Sequence, residues 1–427
     1  MDAKLLIFSK LLTIFALKIN KERNCIMNTN NSASNQVDKL TSRQVHKLVD
    51  KFTSGQVDKL NEEATNSSTR QLVNSSTEST NSSTCQPVNP STINMKSWMT
   101  SLIQQKKVAA IPVMTHPGIE VIGKTVLDAI TDGCVHYEAI KALTERYPSD
   151  AVTVIMDLTV EAEAFGAGIA FADNEVPAVV GHMLDTVDDI YKLEVPSMKK
   201  GRVREFLKAN LLAARNITDR PVLGGCIGPF SLAGRLYDMS GIMMLIYEDP
   251  EAADELLSKC TTFITRYCRA LKATGVNGVM MAEPAAGLLS DADCERFSSK
   301  YVKQIVDAVQ DDTFSLILHN CGNTGQCTAA MVKTGAAAYH FGNKIDMVQA
   351  LHDVPADVPA MGNLDPVSLF KDATPEEMRK ATLDLLNATK DFPNFVLSSG
   401  CDTPPHTPFE NIDAFYEAVR EWNNAPS

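Results

Sequence analysis

From residue 95 onward the sequence predicts an α/β protein, a (β/α)8 barrel of the TIM type, preceded by a low-complexity N-terminal extension. Two observations predict it. Eight short β-branched or apolar runs alternate with longer amphipathic stretches, the order that a parallel barrel requires. Helix punctuation falls between the runs: Asp249-Pro250-Glu251 and Thr374-Pro375-Glu376-Glu377 read as helix starts, and Gly275 stands where a helix should stop.

The first 94 residues differ in kind from the rest. Met1–Leu17 is apolar but carries Lys4 and Lys10, and no small-residue cleavage site follows, so it fits a secretory signal poorly. QVDKL at 36–40 recurs as QVHKL at 44–48 and QVDKL at 56–60, and NSST begins at 66, 74 and 81. These spacings match no solenoid period. Repeats rich in Asn, Ser and Thr bury too little apolar surface to offset the entropy of ordering, so residues 1–94 are expected to be disordered or loosely helical. Met95 opens MKSWMTSLIQQ, a helical start leading straight into the globular pattern, and we expect the natural protein to begin there, with residues 95–427 forming the barrel domain.

The strand candidates, in order, are Ala110–Met114, Val152–Met156, Pro221–Cys226, Val276–Ala282, Phe314–Leu318, Ala337–Phe341, Val358–Met361 and Phe395–Ser398. Apolar residues make up 44% and charged residues 22%, enough for a sizeable core. The formal net charge of −12, with no basic stripe, argues against a nucleic-acid or anionic-membrane partner. Ten cysteines scattered through a long chain do not make a disulfide framework. After residue 95 no apolar run is long enough to span a bilayer, and this part reads as cytoplasmic.

Barrel enzymes carry their chemistry at the C-terminal ends of strands. Phe314–Leu318 ends in His319-Asn320-Cys321, and Phe395–Ser398 ends in Ser399-Gly400-Cys401-Asp402. In an extended segment residues two apart share a face, so His319 and Cys321 are able to aim an imidazole and a thiolate at one point. Cys401, from another strand end, completes a Cys2His set that leaves a fourth position open, the pattern of a catalytic zinc. Taken alone, His-X-Cys is better explained by a hydrogen-bonded histidine beside a core cysteine; the paired strand-end positions favour the metal. Cys327, six residues beyond Cys321, is expected in the following helix and inert.

The stretches LILHNCGNTG (316–325), MGNLDP (361–366) and VLSSGCDTPPHTPFENI (396–412) resemble the uroporphyrinogen decarboxylase superfamily, and within it the methylcobamide:coenzyme M methyltransferase branch. The likeness runs from about Val108 to Trp422. It implies His319, Cys321 and Cys401 as zinc ligands. A fourth ligand in that branch is commonly a carboxylate or the incoming thiol, and Glu283 lies at a suitable strand end; a barrel-mouth salt-bridge partner is an equal reading. Asp157 aligns with the carboxylate that decarboxylases of the superfamily use to hold pyrrole nitrogens, so it is a candidate for orienting the corrinoid or a ligand, or for a structural role. His340 lies near a functional histidine of the decarboxylases and is a candidate cofactor-binding residue, or else a hydrogen-bonded wall residue.

Uroporphyrinogen carries eight carboxylates, and its decarboxylases meet them with arginines from an N-terminal M-R-Q-A-G-R motif. The equivalent segment here, IPVMTHPGIEVIG (111–123), has no arginine. The resemblance therefore implies a zinc-dependent transfer of a methyl group from a methylated corrinoid to a small thiol such as coenzyme M. The corrinoid would arrive on a partner protein, because the chain has no D-X-H-X-X-G cobalamin motif. A decarboxylase-like lyase and a non-catalytic corrinoid or thiol carrier are the alternatives.

Overall fold

The computed structural model describes residues 93–425. The expectations for the extension, its repeats and its apolar start fall on residues 1–92, outside the described residues. Helix α1, Met95–Gln104, begins where the Asn94 side chain accepts a hydrogen bond from the Ser97 N–H at 2.8 Å. Its apolar residues Met95, Met99 and Leu102 recur at helical spacing and are all buried. They pack on Leu223, Met280, Ile317, Met361 and Val396 of the barrel interior. The Met95 N–H also donates to the carbonyl of Asp312, just before a central strand, so α1 stoppers the N-terminal end of the barrel.

The strands are β1 (Val152–Thr153), the hairpin strands β2 (Gly168–Ala170) and β3 (Ala178–Val180), then β4 (Val222–Ile227), β5 (Gly278–Ala282), β6 (Ser315–Asn320), β7 (Ala338–Phe341), β8 (Ala360–Leu364) and β9 (Phe395–Ser399). Seven of them form one curled parallel sheet in the order β1–β4–β5–β6–β7–β8–β9. Helices between successive strands cover its outside, among them α2 (Pro229–Tyr237), α3 (Pro250–Ala273) and α4 (Pro375–Thr389). The Asp249 carboxylate caps α3 from its predicted start, and Thr374 with Glu377 forms a reciprocal capping box on α4. Gly275 follows α3 at φ +97°, a conformation that favours glycine.

The eighth run, Ala110–Met114, is not a strand. It touches β9 through one parallel bridge, Ala110 to Leu397, with the Ile111 N–H donating to the Leu397 carbonyl at 2.9 Å. Toward β1 it is joined by one backbone bond, from the Asp150 N–H to the Ala110 carbonyl at 3.0 Å, and by side chains: the Asp150 carboxylate accepts from the Ala110 N–H at 2.8 Å, and the Thr153 hydroxyl accepts from the Met114 N–H at 3.3 Å. Pro112 explains the gap on the β1 side, where its nitrogen falls between those of Ala110 and Met114 and has no proton to donate, and on the β9 side the Val113 N–H goes to the Ser399 hydroxyl at 3.0 Å instead of a backbone carbonyl. The segment nevertheless occupies the eighth position, between β9 and β1. The β2–β3 hairpin was not expected from the sequence; its two short strands follow the first strand-end loop and Val179 faces the cavity described below.

Candidate metal centre at the barrel mouth

Strand alternation aims the site. Ile317 on β6, Ala338 on β7 and Val396 on β9 belong to the apolar interior. Two residues further on, His319, His340 and Ser398 face the same interior one layer nearer the C-terminal mouth. Above them the chain leaves β6 through Cys321 and β9 through Cys401. The ligand atoms of His319, Cys321 and Cys401 all lie within 4.8 Å of one another. His319 is buried and the two cysteines are half-buried. The turn after β6 is held by Asn320, whose side-chain oxygen accepts from the N–H groups of Gly322 and Asn323, each at 3.0 Å. This is the physical reason for an Asn between the histidine and the cysteine.

The donor set suits a soft divalent metal. His319 Nε2 is buried and makes no hydrogen bond of normal geometry, while the imidazole lies close enough to the Cys401 sulfur to pull the Cys401 pKa down against the larger upward effects there; a buried nitrogen in this state costs free energy unless something accepts its lone pair. The thiol of Cys321 is lowered to about 7, chiefly by the hydrogen bond from Cys401, against the opposing effect of burial and with help from the Lys344 charge. Cys401 is pushed up by that same hydrogen bond and by burial. Behind the triad, His319 Nδ1 lies 2.7 Å from His340 Nδ1, and His340 Nε2 lies 2.8 Å from the Ser398 hydroxyl.

The other expected site residues sit elsewhere. Glu283 follows β5, and its N–H donates to the His319 carbonyl at 2.8 Å. Its carboxylate is turned under the start of α2, where Oε1 accepts from the Ser231 N–H at 2.7 Å and the Ser231 hydroxyl at 3.1 Å. It stands outside the triad, and it is buried, which pushes its pKa up to about 8 despite the Ser231 hydrogen bonds. Oε2 has no partner. Gly228 makes this seat possible, since a Cβ there would fall 1.5 Å from Oε2.

Asp157, expected at a cofactor, is instead enclosed in an ion pair with Arg202, and its other oxygen accepts from the Thr159 N–H and hydroxyl at 2.9 and 2.7 Å. Arg202 also donates from Nε to Glu163 at 2.6 Å. With its side chain 0% exposed and both oxygens engaged, Asp157 sits in an arrangement that matches its structural alternative. His340 is fully buried behind His319 with both ring nitrogens engaged, an arrangement that matches the wall-residue alternative. Cys327 is buried and donates to the carbonyls of Ala286 and Leu289, away from the triad.

Sequence reasoning missed several members. His116 lies 3.4 Å from Asp402, the residue after Cys401, and its Nδ1 is 3.1 Å from the Thr403 carbonyl. Burial pulls the His116 pKa down, but the charge and hydrogen bond of Asp402 outweigh it and the net shift is upward. Asn363, within MGNLDP, donates to the carbonyls of Gly342 and Ile345 at 3.0 and 2.8 Å, and so fixes the loop that carries Lys344. A cavity of about 660 Å³ opens over Cys321 and Cys401, and the cationic side chains of Arg235 and Lys344 line it.

Fold and site together define a parallel α/β barrel with a candidate Cys2His metal centre at its C-terminal mouth. The chain belongs to the uroporphyrinogen decarboxylase family: residues 96–422 match the family described as Uroporphyrinogen decarboxylase (URO-D). Among its relatives is the methylcobamide:CoM methyltransferase MtbA of Methanosarcina acetivorans, 31% identical over 277 residues, which are 64% of this chain and 80% of the relative. A uroporphyrinogen decarboxylase of Legionella pneumophila is 29% identical over 283 residues, 65% of this chain and 80% of the relative. A solved structure described as a methyltransferase from Methanosarcina mazei shares the fold at a TM-score of 0.69 and 22% identity, over 77% of this chain and 99% of that one. Among the described residues no helix is long and apolar enough to cross a membrane.

Proposed function

We propose that this protein is a zinc-dependent methyltransferase that moves a methyl group from a methylated corrinoid, carried by a partner protein, to a small thiol. One observation carries the reading: His319, Cys321 and Cys401 converge within 4.8 Å beneath an open cavity, with an unpartnered imidazole nitrogen among them. The kinship with the MtbA proteins, whose name states that they act on methylcobamide and CoM, supports the choice of reaction.

His319 Nε2 and the two sulfurs would hold the metal. Zinc bound there supplies the Lewis acidity that keeps an incoming thiol deprotonated at neutral pH. These three residues would hold the metal without Glu283, whose carboxylate accepts from Ser231, and the cavity over Cys321 and Cys401 would give a thiol access to it. Arg235 and Lys344 place positive charge along the path of a thiol that bears an acidic group. In the transfer the thiolate sulfur forms a bond to the methyl carbon, the electrons of the cobalt–carbon bond stay on cobalt as Co(I), and the thiol proton leaves to solvent. Cys321 and Cys401 need a reducing compartment to stay available as thiolates, which favours the cytoplasm. A polyanionic substrate with eight carboxylates fits less well, because Asp238 lines the same cavity as its two cations.

The test is methyl transfer from methylcobalamin to added thiols, followed by loss of the methyl-Co(III) spectrum. The expected outcome is a loss that needs both the thiol and zinc, and that Cys321→Ala and Cys401→Ala abolish while the fold survives. A loss equally fast without zinc would overturn the proposal.

A further inference from the structure

The histidine that donates to a metal must present a bare nitrogen, and in this barrel the side chains behind it determine which nitrogen is bare. The Ser398 hydroxyl has one proton, and it donates that proton to the Ile111 carbonyl at 2.7 Å. Ser398 Oγ therefore meets His340 Nε2, 2.8 Å away, as an acceptor, and the proton between them belongs to His340 Nε2. A neutral His340 then has a bare Nδ1. That nitrogen lies 2.7 Å from His319 Nδ1, a contact that needs one proton, which must come from His319. The remaining nitrogen of His319, Nε2, is left bare; with Nδ1 taken by His340, it is the ring nitrogen free to meet the neighbouring sulfurs of Cys321 and Cys401, and it makes no hydrogen bond of normal geometry.

We infer that His340 and Ser398 are positioning residues that select the Nδ1–H tautomer of His319, through a one-way chain of hydrogen bonds ending on the Ile111 carbonyl, and so keep Nε2 available as the metal ligand. The inference rests on the metal reading proposed above and deepens it. Three features of the fold make the chain directional. Its terminus is a backbone carbonyl, which only accepts. All four groups are buried: His319, His340 and Ser398 are each no more than 1% exposed, and Ile111 is likewise enclosed, so water does not compete for these bonds. The chain also crosses from β6 to β7 to β9 and on to the segment before His116, so the ligand's tautomer is tied to the closure of the barrel rather than to its own loop. The two imidazoles meet edge to face, with ring centres 4.6 Å apart, which fixes the ring plane of His319 as well as its proton. The usual partner behind a ligating histidine is a carboxylate or carbonyl; here a second neutral histidine relays the carbonyl.

The experiment has two readouts on the full chain. In metal-free protein labelled with 15N-histidine, long-range proton–nitrogen spectra of His319 should show the proton on Nδ1, assigned by comparison with His319→Gln. Zinc affinity should then be measured by competition with a chromophoric chelator. Ser398→Ala, a small change that removes the hydroxyl, should lower zinc affinity about 10- to 100-fold, the range typical of groups behind a metal ligand. His340→Leu should do so at least as strongly, and His340→Asn, which keeps an acceptor near the Nδ1 position, should restore part of the loss. Circular dichroism establishes that each variant is folded. A wild-type His319 protonated on Nε2, or zinc affinity within twofold of wild type in folded Ser398→Ala and His340→Leu, overturns the relay. A wild-type protein with the expected tautomer that takes up no zinc overturns the metal reading instead, because the spectrum is read without metal.

Discussion

Gly342 lies directly against Cys321: a Cβ on Gly342 would fall 2.5 Å from the Cys321 Cα and 2.9 Å from its Cβ. These are backbone and near-backbone atoms, so nothing flexible is available to yield. Gly342→Ala is expected to push Cys321 out of line with His319 and Cys401 and to lower zinc affinity by tenfold or more, with the barrel still folded. A chelator competition alongside a melting curve checks this; unchanged affinity would mean that the loop relaxes without moving the sulfur.

Glu283 should make the metal-free protein less stable as pH rises. Its pKa is about 8 in the folded chain against 4.5 for an ordinary glutamate. Between those values the folded state binds more proton than the unfolded state, so stability falls across that window and the penalty is complete above about 8. Glu161, pushed up to about 7 by burial, acts in the same direction. Glu283→Gln keeps the hydrogen bonds from Ser231 and removes the titration. The melting temperature of the wild type should drop relative to this variant between pH 5 and 8, and parallel pH profiles would show that Glu283 is already ionised.

The Asp157–Arg202 pair predicts a structural phenotype. Asp157→Asn leaves a buried guanidinium with only Glu163 to balance it, and breaking a buried pair in this way costs about 3–5 kcal/mol. Chemical denaturation should show a loss of that order, whereas zinc content per folded chain should not change. A variant as stable as the wild type would return Asp157 to the candidates for ligand binding.

Much of the barrel was legible because its strands are short apolar runs set between longer amphipathic stretches, and seven of the eight runs became strands. The eighth failed at Pro112, whose missing N–H is visible in the sequence but whose place beside β9 is not. Cys321 and Cys401 stood out because soft side chains just beyond strand ends are uncommon, and the fold brings both beside His319. Ser398 stood in phase with Val396, two residues on, so alternation alone would have placed it in the polar layer with His319 and His340. Asp157, Glu283 and His116 were not legible. What decides the role of each is a partner far away in sequence: Arg202 holds Asp157, Ser231 turns Glu283 aside, and Asp402 pairs with His116. Gly228 and Gly342 carry no signal of their own until the chain packs against them.

X-ray absorption at the zinc edge tests the central claim most directly, since it counts the atoms around the metal with and without substrate. The zinc-loaded protein should show two sulfurs, from Cys321 and Cys401, and the imidazole nitrogen of His319. Adding an accepted thiol should raise the sulfur count by one. A shell with fewer than two sulfurs, or one that stays unchanged with every thiol tried, coenzyme M and homocysteine included, would contradict the account.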